Sequence, residues 1–175
     1  MQSQVPKIII ALFTAAVLAA CTSGNSSNTN QANQTAAASA NSNSVKNDVD
    51  ELEMIIKMPF HPEDADWRED AMGKTGNDRV PGPTDKKLVA ILRFVKEDAD
   101  KIVAQAEKHK APTPAIINTE SWFPSELIAQ SQTSGDETLK GLTYAANDFY
   151  NPPYSEGKIT RIEGTDYFLL ELFTK

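Results

Sequence analysis

An α+β fold is predicted for residues 46–175: a small antiparallel or mixed sheet of about four or five strands with one or two packed helices. Three observations predict it. Leu88–Val95 (LVAILRFV) and Tyr167–Thr174 (YFLLELFT) are apolar on both faces, as central strands are. Between them, Ala99, Ile102, Val103 and Ala106 recur at helical spacing and make one apolar stripe. Gly164-Thr165 separates two strand-like runs, as in a two-residue hairpin loop. A domain of roughly 130 residues buries about two-thirds of its unfolded surface and needs no covalent staple.

Taken in order, Glu51–Phe60 (ELEMIIKMPF) reads as a first strand because Leu52, Met54 and Ile56 alternate. His61–Lys87 has no strong period. A short helix is expected from Pro62, with Pro at the first helical position and Glu63, Asp64 and Asp66 in the first turn. Gly73–Pro83 is loop by its Gly and Pro content. Leu88–Val95 then leads into a helix from about Lys96 to Lys110. Its acids (Glu97, Asp98, Asp100) open it and its bases (Lys108, His109, Lys110) close it, which complements the dipole.

Pro112 and Pro114 stop that helix. A second short helix begins at Pro124 and turns Leu127 and Ile128 inward. Leu139–Tyr150 fits two periods. Leu139, Leu142, Ala146 and Phe149 have helical spacing, while Leu142, Tyr144 and Ala146 alternate; strand is the preferred reading. Lys158–Glu163 and Tyr167–Thr174 follow as a type II′ hairpin with Gly164 first in the loop.

Charge divides the chain sharply. All 24 acidic residues and 16 of the 17 basic ones follow residue 45, so the domain carries a formal −8. A nucleic-acid binder needs a cationic face to displace counterions from phosphate, and this balance argues against one. It argues equally against electrostatic adsorption to anionic lipid. One cysteine excludes an internal disulfide.

That cysteine has another use. After Lys7, Ile8–Leu18 (IIIALFTAAVL) is an apolar run, followed by Ala19, Ala20 and Cys21. The run is short against the ~20 residues of a membrane span and has the layout of a secretory signal. Leu18-Ala19-Ala20-Cys21 resembles the lipobox of bacterial lipoproteins. The resemblance covers about the first 21 residues. It implies cleavage before Cys21, a diacylglycerol thioether on its sulfur, and further acylation of the new amino terminus by a chain such as palmitate. Thr22, where Asp commonly marks inner-membrane retention, favours the outer membrane with the domain in the periplasm if the cell is Gram-negative. With a single membrane the domain faces outward.

Residues 22–45 contain no charge and no aromatic side chain, so nothing there offsets chain entropy and a tether is expected. As a flexible coil it spans roughly 25–30 Å. The organisation predicted is therefore signal peptide 1–20, lipidated Cys21 with linker to residue 45, and one domain over 46–175.

Chemistry-bearing patterns are sparse. Gly73-Lys74-Thr75 ends like a phosphate-binding loop, but Arg68 stands where the first glycine belongs. His61 with Glu63, Asp64 and Asp66 suits a hard cation, without a calcium-loop pattern around it. His109 is explained by its place at a helix end. No Gly-x-Ser-x-Gly occurs, and no cofactor is implied. Aromatic residues near loops are the better candidates: Trp67, Trp122, Phe149, Tyr150 and Tyr154 suit a partner or ligand surface, or else cap the core edges.

The function expected is a membrane-tethered, non-catalytic binding or interaction domain, with an envelope protein as partner. The rival is a small envelope hydrolase or metal-dependent enzyme built on His61 and its neighbouring carboxylates.

Overall fold

The computed structural model describes residues 44–72 and 85–174. The signal-like segment, Cys21, the linker up to residue 43, and the Gly73–Pro83 stretch with Gly73-Lys74-Thr75 lie outside the described residues.

The fold is α+β, and its sheet is larger than expected. In chain order the elements are α1 (Val49–Ile55), β1 (Asp64–Ala71), β2 (Lys86–Arg93), α2 (Lys96–Ala106), β3 (Thr113–Asn118), α3 (Ser125–Ser134), β4 (Thr138–Ala145), β5 (Tyr154–Ile162) and β6 (Tyr167–Thr174). A single 3-10 turn, Asn147–Phe149, precedes β5. The sheet has six strands in the order β1-β2-β6-β5-β4-β3, and every neighbouring pair is antiparallel. β2 and β6 lie inside the sheet, as their two-faced apolar runs predict.

Two elements correct the expectations at the start of the domain. Glu51–Phe60 is not a strand: the residues form helix α1. Asp48 caps it, its side chain accepting from Glu51 N at 2.9 Å, and Asp50 and Glu51 occupy the first turn. Leu52 and Ile56 reach the core while Met54 is 76% exposed, so the alternation of Leu52, Met54 and Ile56 carries no strand. The helix expected from Pro62 is instead strand β1. Glu63 N already bonds Arg93 O at 2.7 Å, and Ala65 and Trp67 point to one face with period two. Trp67 therefore stands in a strand and not in a long loop.

Further along, α2 ends at Ala106, a turn before Lys110. Lys108 N bonds Gln105 O and His109 N bonds Ala106 O, which tightens the last turn into 3-10 geometry. The residues after Pro112 form strand β3, at the sheet edge where a proline is tolerated. α3 follows Pro124 with Leu127 inward, and it ends at Gly135, whose φ of +81° suits glycine. Of Leu139–Tyr150, the part up to Ala145 is strand, as preferred, whereas Asn147–Phe149 forms the 3-10 turn. The β5–β6 loop is not a two-residue type II′ turn. Thr165 N bonds Ile162 O, and Gly164 takes the third place of that turn with φ +75°.

The sheet buries both faces, unequally. On one face α1, α2 and the 3-10 turn pack over Trp67, Leu88, Ala90, Leu92, Phe168, Leu170 and Leu172. On the other, α3 with Phe123 covers Val89, Ile91, Ile117, Leu139, Ile162 and Leu169. Beyond α3 that second face turns polar. Glu171 bridges Lys87 and Lys158 at 2.7 and 2.8 Å, and Thr143 and Thr160 share a hydrogen bond of 2.7 Å.

Candidate binding groove

The register shows where the first face runs out of cover. One row of side chains crosses all six strands: Ala65, Leu92, Phe168, Arg161, Leu142 and Pro114. Ala65, Leu92 and Phe168 are buried beneath the helices. Past Arg161 the row emerges, and Leu142 is 44% exposed. On the neighbouring row Ile116 of β3 stands opposite Lys140 and is 74% exposed. The result is a groove of about 850 Å³, lined by Pro114, Ile116, Leu142 and Tyr144 on the strands and by Lys96, Thr165 and Asp166 at its margin.

Arg161 builds one wall. Its guanidinium donates to Asp100 of α2 at 2.8 Å and to Asp166 at 2.9 Å, and lies 5.8 Å from the Phe168 ring centroid. It thus ties α2 to the β5–β6 turn and seals the core where the groove begins. Hydrogen bonds from Arg161 and Lys96 hold the Asp100 carboxyl below the usual carboxylate range. Burial, with Glu107 nearby, pushes the Tyr144 phenol up, so it stays neutral. Thr165 donates its hydroxyl to Ile162 O and accepts from Tyr167 N. The lining carries neither histidine nor cysteine. This arrangement provides apolar contact with a charged margin.

The residues singled out by sequence lie elsewhere. Trp67, Phe149 and Tyr154 are buried in the core of the helix-covered face and present no contact surface. Tyr154 donates its hydroxyl to Glu69, and Trp67 Nε1 donates to Asp48 O at 3.0 Å. Tyr150 is half-buried and donates to Gly157 O at 3.2 Å. Trp122 belongs to the opposite face, half-buried, its Nε1 donating to Glu120 and Arg68 lying 5.3 Å from its ring. None of the five lines the groove.

His61 does not gather its expected carboxylates. Its Nδ1 meets Glu53 at 2.7 Å, Asp64 is bound by Arg93, and burial with the charge of Asp64 raises the Asp66 carboxyl. Among the described residues no group of three or more His, Cys, Asp or Glu side chains is placed to hold a metal ion. His109 lies 3.5 Å from Asp148. The groove residues Ile116, Leu142, Lys140 and Arg161 were not singled out in the sequence. The one local signal was an apolar pair beside Pro114, too short to mark a strand by itself.

Compared with protein-family models, with curated proteins and with solved structures, the chain matches none.

Proposed function

We propose that this chain is a lipid-anchored protein of the cell envelope whose domain binds a partner, without catalysis, through the groove at the β3–β4 end of the sheet. The observation that carries the reading is the exposure of Ile116 and Leu142, beside Pro114, on a face whose large apolar side chains are buried further along the sheet. Contiguous apolar surface left open beside a polar margin is characteristic of interaction sites. The anchor rests on Ile8–Leu18 and the Leu18-Ala19-Ala20-Cys21 lipobox. A domain of formal charge −8 suits a protein partner better than nucleic acid.

Burying Ile116 and Leu142 supplies roughly 2–4 kcal/mol. A micromolar complex requires about 8 kcal/mol. The groove therefore needs polar contacts at its margin to hold a partner.

The test is photo-crosslinking in the cell from position 116 or 142, with the exposed Met54 on α1 as control. A discrete adduct from 116 and 142 but not from 54 is expected. Equal capture from all three, or capture from 54 alone, removes the groove from consideration.

A further inference from the structure

Beside the groove runs the outer edge of β3, and two backbone bonds fix which residues face outward. Thr119 N donates to Glu137 O at 3.3 Å, and Glu163 N donates to Lys140 O at 2.9 Å. N–H and C=O of one residue share a side of the strand and alternate along it. Ala115 and Ile117 therefore turn to β4, while Pro114, Ile116 and Asn118 turn away. Pro114 has no N–H to give. Ile116 and Asn118 present both N–H and C=O to the outside. The opposite edge differs: β1 is met by the chain itself, since Lys46 and Trp67 bond each other through both backbone groups.

Charge marks the same edge. Among the described lysines, Lys57, Lys108, Lys110 and Lys140 form no ion pair with another described residue. Lys108 and Lys110 lie in the turn that leads into β3, and Lys140 stands opposite Ile116. Against them the groove holds Glu163, across the ladder from Lys140, and Asp166, which Arg161 already neutralises.

We propose that β3 accepts an extended, acidic segment of a partner protein, which adds to the sheet as a further strand. Its backbone bonds Ile116 and Asn118, an apolar side chain covers Ile116 and Leu142, and its carboxylates meet Lys140, Lys110 and Lys108. The proposal rests on the groove being the partner site and adds the class of partner and the way it binds. A second copy of this chain fits poorly, because its own β3 segment, Thr113–Asn118, carries no acidic side chain to meet Lys140, Lys110 and Lys108.

The probe is a displayed library of random linear heptapeptides selected on the full-length chain at low salt. Selected sequences should be rich in Asp and Glu around one β-branched or aromatic residue. A synthetic peptide from the selection should slow amide exchange at Ile116 and Asn118. Lys140→Glu should weaken it about fivefold or more through lost charge pairing. Asn118→Pro, which removes one outward donor, should weaken it about fivefold. Both variants should keep the thermal midpoint of the parent.

Selection of basic or neutral sequences overturns the proposal, as does binding that leaves the Ile116 and Asn118 amides unprotected. So does a dimer that Asn118→Pro converts to monomer. Crosslinks from 116 and 142 with no peptide selected sink strand addition and leave the groove reading intact. Silence in both experiments sinks the groove itself.

Discussion

Trp67 and Lys46 exchange both backbone hydrogen bonds at 2.8 Å, and the Lys46 ammonium rests 4.6 Å from the indole centroid. The indole Nε1 also donates to Asp48 O, so one buried side chain holds the segment that leads into α1. Trp67→Phe keeps most of the apolar volume and deletes that donor. It should cost about 1–2 kcal/mol by denaturant unfolding and speed tryptic cleavage after Lys46. Unchanged cleavage would show that the backbone bridge holds the segment unaided.

Glu171 gives the sheet an acid-sensitive point. Burial opposes its ionisation, but hydrogen bonds from Lys158 and Lys87 outweigh burial and hold its carboxyl below the usual range. A depressed folded pKa means stability that is present above the unfolded value near pH 4.3 and is lost as pH falls through the folded one. Glu171→Gln should cost about 1–2 kcal/mol at pH 7, and the difference from the parent should shrink at pH 3. A difference equal at both pH values would assign the loss to packing instead.

Tyr154 gives the alkaline counterpart. Burial first, then its hydrogen bond to Glu69 and the Glu69 charge, push the phenol far above its ordinary value. A raised folded pKa contributes stability that is complete below the unfolded pKa near 10 and fades as pH rises past it. Tyr154→Phe should lose about 1–2 kcal/mol at pH 8 and decline less steeply between pH 10 and 11 in urea titrations. Some slope should remain, because burial raises Tyr144 and Tyr167 as well.

Cys21→Ser tests the anchor alone. The variant should move from the membrane fraction to the soluble one, since in the proposed anchor a single thioether would carry the diacylglycerol. Retention on the membrane at full apparent mass would exclude the lipobox reading.

The central strands and α2 were legible because their signals are local. Val89 and Ile91 serve one core while Leu88, Ala90 and Leu92 serve the other, so β2 had to be apolar throughout. α2 announced itself through Ala99, Ile102 and Ala106. α1 was misread because Leu52, Met54 and Ile56 mimic a strand, and the Asp48 cap with Glu51 at its third residue was the better signal. β1 was hidden by its own acids, which suit a helix start as well as the solvent side of a strand. The groove was not legible at all. It exists because α2 stops short of β3, a matter of helix placement across the sheet that no window of sequence contains.

The strand order also has a kinetic meaning. β1 with β2, and the run β3-β4-β5-β6, each pair between near neighbours in the chain, whereas β2 against β6 joins the two halves. That seam is closed by contacts such as Lys86 N to Thr174 Oγ1, 88 residues apart. Distant pairing is slow because loop entropy opposes it until many contacts form together. The β2–β6 seam is therefore expected to form late, and a chain that has not yet closed it exposes two apolar strands to its neighbours.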